Sequence, residues 1–297
     1  MKKILVLIVL LLVSISLNAQ KPLMKIIDID GNETKYNIED ISEMNFVNTN
    51  AFYKMIVYKH DTTNTFLTLN IKSIVFGDSN EIEINLATTH KILSIGDIDS
   101  IVFVQEICSD VKIGNQTWTC KNLDVDHYRN GDPIPEVTDP IEWAKLKTGA
   151  WCYYNNDSIL GAIYGKLYNW YAVNDPRGLA PIGWHIPSAD EWYELGVFLK
   201  SSPGGKLKST GTIENGDGLW LEPNEGATNE TGFSALPGGF RGINDGFTCY
   251  EYCTFFWTST LMSPSQARYT NLSTNLTAYI DGPLELAYGC SIRCIKD

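Results

Sequence analysis

A histidine followed by three carboxylates is the part of this sequence that most suggests catalysis. His185 lies in GLAPIGWHIPSADEWYEL (178–195), ahead of Asp190, Glu191 and Glu194. A histidine can act as a general base when a second group orients it and a nucleophile lies within reach. The other three histidines are distant in the sequence, and no nucleophile adjoins this one. We therefore expect His185 to be a hydrogen-bonded core residue rather than a catalytic base.

The carboxylates of this stretch have a simpler role at the start of a helix. Ser188 and Glu191 stand three residues apart, as in a capping box, where each side chain accepts a hydrogen bond from an unpaired backbone N–H. Acidic residues in the first turn also suit the helix dipole. Trp192, Leu195 and Leu199 follow at the spacing of one apolar face. The pattern predicts a helix over residues 189–200.

The segment GFSALPGGFR (232–241) contains the beginning of a hydrolase-like Gly-x-Ser-x pattern. Leu236 replaces the glycine that a nucleophile elbow requires, and no strand-to-helix context follows. We do not expect a hydrolase triad. The glycines of this segment favour a bend, and we expect Arg241 to pair with an acid behind it.

The first nineteen residues have the pattern of a secretory signal peptide. Lys2 and Lys3 precede an apolar run over residues 4–13, and the small residue Ala19 offers a cleavage point. That run is shorter than the roughly 20 apolar residues of a membrane helix, and no later segment reaches this length. We expect an exported protein without a membrane span, in the periplasm, at the cell surface or secreted.

The chain is strongly acidic. Its formal net charge is −12, and removal of the signal, which carries two lysines and no acid, makes it −14. Such a surplus of negative charge repels phosphate backbones. Nucleic acid is therefore not an expected partner.

The remaining chain divides by composition near residue 107, because all tryptophans and cysteines follow that point. Before it, three copies of one apolar pattern each follow a segment of alternating polarity, which predicts a hairpin and a third strand per repeat. These repeats resemble modules of exported Bacteroidetes proteins and suggest a stalk over residues 20–106. The copies are ISEMNF (41–46), IKSIVF (71–76) and IDSIVF (98–103).

A series of blocks in the C-terminal part resembles the Fibrobacter succinogenes major paralogous domain family over residues 107–297. The resemblance implies a C-type-lectin-like fold, shared with formylglycine-generating enzymes, in which two helices pack on a twisted antiparallel sheet. The blocks are VKIGNQTWTCKNL (111–123), YRNGDPIP (128–135), YGKLYNWYAV (164–173), GLAPIGWHIPSADEW (178–192), GATNETGFSALPGGFR (226–241), FWTST (256–260) and SIRCIKD (291–297).

We therefore expect an α+β protein, in which a small all-β domain of three hairpin repeats precedes a C-type-lectin-like domain. Few helices and many loops suit such a domain. Helices are predicted over residues 142–147 and 189–200, with residues 164–173 as a third candidate.

The seven cysteines of an exported chain favour disulfides. The family usually lacks cysteine at positions 120 and 290. Because this sequence departs from the family at both positions, the resemblance implies that Cys120 and Cys290 were gained together as a bridge. Cys152–Cys294 and Cys249–Cys253 would complete three bridges and leave Cys108 unpaired. Three residues separate Cys249 from Cys253, so this pair fits neither a thioredoxin-type motif nor a zinc ribbon. The enzymatic alternative is a formylglycine-generating-type oxidase that binds copper through cysteines.

In lectin-like folds, variable function collects on the long loops, which here lie between residues 215 and 246. The tripeptide at residues 222–224 also occurs in sugar-binding C-type lectins, where its oxygens ligate calcium. The partner Trp-Asn-Asp motif is missing, so calcium would brace the loop rather than bridge to a sugar. The candidate calcium ligands are Asp217, Glu222 and Asn224, and the candidate ligand-binding residues are Trp220, Glu222, Asn224, Asn229, Asn244, Asp245 and Phe247.

These observations predict a non-catalytic binding protein. Aromatic rings can stack on the apolar faces of sugars while Asn and Asp side chains bind the hydroxyl groups. We expect a glycan or a surface protein as the partner. The oxidase and a purely structural cell-surface component are the alternatives.

Overall fold

The computed structural model describes residues 109–243 and 246–297 continuously, together with eleven strands among the residues before them. The chain divides into two units. One contains Met1–Ile107 and Ile213–Gly218, and the other contains Cys108–Thr212 and Leu219–Asp297. The described residues form a mixed α+β structure that is mostly sheet.

The first unit is built from two sheets, ordered β1-β5-β8-β9-β10 and β4-β3-β2-β11-β6-β7. β1 and β2 fall within the segment predicted as a signal peptide. Export and the three-repeat stalk both stay predictions. The strands are β1 Lys2–Leu7, β2 Leu12–Ser16, β3 Leu23–Ile27, β4 Glu33–Asn37, β5 Ile41–Val47, β6 Tyr53–Lys59, β7 Thr63–Leu67, β8 Ile71–Phe76, β9 Glu81–Leu86, β10 His90–Ser94 and β11 Ile98–Gln105.

The second unit contains short helices and three sheets, ordered β12-β13-β22-β16, β14-β15 and β18-β17-β19-β20-β21. Its strands are β12 Val111–Ile113, β13 Gln116–Trp118, β14 Trp151–Cys152, β15 Leu167–Tyr168, β16 Trp184–His185, β17 Gly238–Arg241, β18 Phe247–Tyr250, β19 Cys253–Ser263, β20 Gln266–Ser273, β21 Ile280–Glu285 and β22 Ile295–Lys296. Its helices are α1 Pro140–Lys145, a 3₁₀ turn at Tyr154–Asn156, α2 Ser158–Tyr164, α3 Trp170–Val173, α4 Ala189–Leu199 and α5 Pro203–Leu207.

Helix α4 begins as its sequence predicts. The Ser188 hydroxyl oxygen accepts a hydrogen bond from the Glu191 N–H at 3.2 Å. A Glu191 carboxylate oxygen accepts one from the Ser188 N–H at 2.7 Å, which completes the capping box. Trp192, Leu195 and Leu199 are buried on the inner face. The predicted helix is thus confirmed, and it ends at Leu199.

Helix α4 packs on strands β19 and β20 through an aromatic core. The Trp192 ring lies 4.7 Å from that of Trp118 and 5.6 Å from that of Phe256. Phe233 closes the cluster against Trp118 at 5.5 Å. Rings of this size bury much apolar area, and their tilted contacts add stability beyond that area. The position of α4 against the sheet is therefore fixed.

Buried cations satisfy many backbone carbonyls where the second unit is irregular. The Arg293 guanidinium donates to the carbonyls of Thr119 and Phe233, both at 2.8 Å. Arg241 donates to the carbonyl of Val137 at 2.6 Å and stacks 4.3 Å from the Trp143 ring. Among the described residues, Arg241 thus binds carbonyls and a ring, and its expected pairing with an acid stays a prediction. Lys166 and Lys208 are also buried.

The disulfide predictions are partly confirmed. Cys249 and Cys253 are bonded, as their short separation allows. The Cys152–Cys294 pairing is wrong, because both are free and they belong to different core clusters. The Cys120–Cys290 pairing is also wrong, because Cys290 is a free thiol inside the core, whereas Cys120 is in a disulfide. Cys108 lies outside the described residues.

Candidate functional site

His185 lies at the surface between two carboxylates. Its Nε2 is 2.8 Å from a Glu191 oxygen, and its Nδ1 is 2.8 Å from an Asp297 oxygen. The side chain is 41 % exposed, so the expectation of a core histidine is wrong, although it is hydrogen-bonded. Burial lowers the pKa of His185, but hydrogen bonds to Glu191 and Asp297 outweigh this and raise it above 6.5. The imidazole links the cap of α4 to the last residue of the sequence.

Two residues of the predicted loop site at 215–246 face the interior. Trp220 is fully buried, and its indole N–H donates to the Ser209 hydroxyl and the Ala235 carbonyl, both at 3.1 Å. Asn224 is 6 % exposed, and its amide donates to the backbone carbonyls of Ser209 and Gly211. The expectation that Trp220 offers a stacking face is wrong, because its ring fills the core.

The other predicted loop residues are not brought together into one described site. Both amide atoms of Asn229 bind Ser234, and half-buried Phe247 packs 5.2 Å from the Tyr154 ring. Glu222 is exposed, and Asp217 is half-buried in the segment that belongs to the other unit. Asn244 and Asp245 lie outside the described residues.

The three predicted calcium ligands, Asp217, Glu222 and Asn224, supply two carboxylates and one amide. Within residues 109–243, 246–297 and the described strands, no three His, Cys, Asp or Glu side chains are grouped to hold a metal ion. Calcium takes six to eight oxygen ligands, usually with several carboxylates. The Asn224 amide already donates to backbone carbonyls. Calcium binding by these residues stays a prediction.

The free thiols do not fit the copper site that the oxidase alternative implies. Cys152, Cys290 and Cys294 are all buried. Burial raises the pKa of Cys152 to about 11 and that of Cys294 to about 12. It also holds the pKa of Cys290 well above the ordinary value. A thiolate is the form that binds metals and reacts, and burial disfavours that form in these three thiols.

A groove with a volume of about 280 Å³ lies where the outer edge of α4 meets the sheet β18-β17-β19-β20-β21. The Ala189 N–H donates to the Thr260 hydroxyl at 2.9 Å and holds the start of α4 on β19. The Tyr279 hydroxyl donates to the Trp192 carbonyl at 2.8 Å. We call this cavity the α4 groove; its lining includes Asp190, Tyr193, Thr258, Thr260, Arg268, Thr270, Tyr279 and Asp281.

The α4 groove combines an open aromatic ring with polar groups. Tyr193 is 71 % exposed. Arg268 and Asp281, on neighbouring strands, form an ion pair at 2.7 Å and remain partly exposed. Asp190 is exposed in the first turn of α4. The lining thus presents hydroxyl groups, carboxylates and a guanidinium that can form hydrogen bonds to a ligand.

Sequence reasoning missed the α4 groove, although one signal for it was present. Thr258 and Thr260 stand two residues apart in FWTST, so a strand places them on one face. Arg268 and Thr270 repeat that spacing on β20. Polar residues in alternation beside a capped helix could have indicated a hydrated sheet face. The sequence does not show which residues of β19 and β20 lie opposite each other, and only the structure gives this pairing.

The second unit is thus an α+β domain with a polar groove beside its longest described helix. The model of the Fibrobacter succinogenes major domain matches residues 111–296, and the chain belongs to this family. This confirms the resemblance in the sequence. No curated protein and no solved structure matches the chain. Throughout the described part of the chain, every helix is too short or too polar to span a bilayer.

Proposed function

We propose that this protein is an exported, non-catalytic binding protein whose α4 groove recognises the sugar rings of a glycan. In this proposal residues 107–297 form a C-type-lectin-like domain and residues 20–106 serve as its stalk. The protein would act in the periplasm, at the cell surface or after secretion. The ligand site moves from the loops at 215–246 to the groove, because Trp220 is buried.

The exposed Tyr193 ring beside the polar lining of the groove carries the proposal. A sugar ring has apolar faces that stack on aromatic rings and hydroxyls that need donors and acceptors. Tyr193 supplies the ring, and Thr260, Arg268 and Asp281 supply the polar groups. Ligand pockets commonly enclose roughly 300–1,000 Å³. A cavity of about 280 Å³ therefore suits a small ligand such as one sugar ring.

The charges in the groove favour a neutral sugar over an anionic one. The only arginine in the lining, Arg268, is already neutralised by Asp281 at 2.7 Å. Asp190 adds a further exposed carboxylate to the same surface. An acidic sugar would meet net negative charge in the groove and around it. Neutral hexoses or amino sugars are the chemistry that this lining accepts.

A protein partner is the second candidate, and exposed apolar side chains near the groove favour it. Val197 on α4 is 59 % exposed, and Leu261 and Met262 of β19 are 50 % and 54 % exposed. Apolar residues that remain uncovered can form the centre of a protein interface. Such a partner would depend on Leu261 and Met262 more than on Tyr193.

A glycan array probed with the multivalent protein tests the proposal, with and without a calcium chelator. Single sugars bound in so open a groove should have affinities near the millimolar range, about −4 kcal/mol, so multivalent display is needed. Tyr193→Ala should weaken binding about fivefold, because the contact of one aromatic face contributes about 1 kcal/mol. Alanine suits an exposed helix position, so the fold should be retained.

Tyr252→Ala is the matched control, because Tyr252 is 40 % exposed but does not line the groove. It should leave glycan binding unchanged. Equal losses in both variants would contradict the groove as the site. Absence of any glycan signal, with capture of a protein through Leu261 and Met262, would favour the second candidate. Absence of both would favour a structural component.

A further inference from the structure

Lys208 is a fully buried lysine that follows α5, and its ammonium group is enclosed by backbone carbonyls. Its Nζ donates to the carbonyl of Ser273 at 2.9 Å, that of Glu225 at 3.0 Å and that of Leu276 at 3.1 Å. An ammonium group has three N–H donors, so three acceptors satisfy it completely. The Trp220 ring lies 5.4 Å from the same nitrogen. The charge is thus held without a buried carboxylate among these contacts.

The three carbonyls belong to two segments that meet at α5: the loop at Glu225, and the chain that runs from the end of β20 at Ser273 to Leu276. The Glu225 N–H donates to the Thr274 carbonyl at 2.6 Å, which joins the segments directly. A Cβ on Gly205 would come within 2.1 Å of the Gly226 carbonyl oxygen. Only glycine permits so close an approach of helix and loop. The ammonium group therefore lies where three stretches of backbone converge.

A buried charge without hydrogen-bond partners is costly, so the ammonium group of Lys208 depends on the three carbonyls. It therefore helps to hold the loop that carries them. Burial lowers the pKa of Lys208 to about 8, and the charge of Glu225 acts in the opposite direction. The protonated form still predominates at neutral pH. Without the ammonium group, the carbonyls of Glu225 and Leu276 would lose this donor, which carries a cost, whereas that of Ser273 would keep the Leu276 N–H at 3.4 Å. Lys208 and the cage thus satisfy each other.

We infer that the carbonyl oxygens of Glu225, Ser273 and Leu276 form a cation-binding cage that Lys208 fills from within the chain. An ammonium group then holds this loop in the role that calcium has in a metal-braced loop. The inference concerns the order of the loop and does not depend on glycan binding. Neutral carbonyls are enough to bind an ammonium group, whereas a calcium ion usually needs carboxylates as well.

The test is urea denaturation of the full chain, followed by tryptophan fluorescence. The midpoint of the unaltered protein should be the same in millimolar calcium and in excess chelator. Lys208→Ala should raise the unfolding equilibrium constant by about a hundredfold or more. Propylammonium, which replaces the deleted atoms, should restore part of this loss, whereas propanol should not. Lys206→Ala is the matched control, because Lys206 is partly exposed and pairs with Glu230.

Several outcomes would overturn the inference. These are a calcium-dependent midpoint in the unaltered protein, equal effects of the two lysine substitutions, and equal rescue by propylammonium and propanol. If Lys208→Ala does not fold, nitrogen-15 NMR of the unaltered protein decides. An ammonium resonance assigned to Lys208 and protected from solvent exchange supports the cage. A rapidly exchanging Lys208 ammonium contradicts it.

Discussion

Raising the pH above 6.5 should weaken the contact that His185 makes between Glu191 and Asp297. The folded protein raises the pKa of His185 above 6.5, its ordinary value, so the folded chain binds this proton more tightly than the unfolded chain. The stabilisation is therefore complete below pH 6.5 and is lost as the pH rises through the folded pKa. Histidine is the side chain whose charge changes most readily in this range.

The size of the effect follows from exposure. The His185 side chain is 41 % exposed, and its partners Glu191 and Asp297 are 28 % and 57 % exposed. Exposed ion pairs contribute about 0.2–1 kcal/mol each because water and salt screen them. Two such pairs at 2.8 Å should together contribute about 1 kcal/mol, or about a fivefold change in the unfolding constant.

Urea denaturation across a pH series, with tryptophan fluorescence, measures this contribution. All tryptophans lie between Trp118 and Trp257, so the signal reports on the second unit alone. When the pH rises from below 6.5 to above the folded pKa of His185, the unaltered protein should lose about 1 kcal/mol more stability than the His185→Gln variant. His127→Gln is the control, because His127 forms a single exposed pair with Asp126. Parallel pH profiles for the unaltered protein and His185→Gln would refute the reasoning.

Three further predictions concern the interior and the boundary of the second unit. Arg293→Met should reduce the free energy of unfolding by about 3–5 kcal/mol, because it leaves buried carbonyls without donors; Arg268→Met at the surface should cost less than about 1 kcal/mol in the same denaturation experiment. The free thiols among the described residues, at Cys152, Cys290 and Cys294, should resist a thiol reagent in the native protein and react in denaturant, and fast native labelling of these three would contradict their burial. Residues 107–297 alone should be soluble and unfold cooperatively under oxidising conditions, whereas aggregation would count against this boundary.

Local patterns in the sequence predicted local structure well. The capping box at Ser188 and Glu191 depends on residues three apart, and the structure has it as expected. The Cys249–Cys253 bridge likewise closes a short loop. The predicted helix at 142–147 corresponds to α1, at Pro140–Lys145. The predicted helix over residues 164–173 is found only in part: α2 ends at Tyr164, β15 takes Leu167–Tyr168, and α3 forms the last part at Trp170–Val173.

Contacts between distant residues could not be predicted from the sequence. The carbonyl partners of Lys208 lie 17, 65 and 68 residues away along the chain. Arg241 finds an acceptor at Val137, 104 residues away. Backbone carbonyls are present at every residue, so no sequence pattern marks the ones that a buried cation will bind. The sequence does not show which side chains are exposed either. Nothing in the glycine-rich segment around Trp220 indicates that its ring is buried.

The most direct test of the account is a nitrogen-15 NMR titration with a neutral glycan that gives a positive signal on the array. The account predicts that the largest shift changes fall on backbone amides of the α4 groove, including Tyr193, Thr260 and Arg268, and that Tyr193→Ala reduces them at equal glycan concentration. Shift changes concentrated in residues 215–246, with the groove unaffected, would contradict it and return the site to the loops.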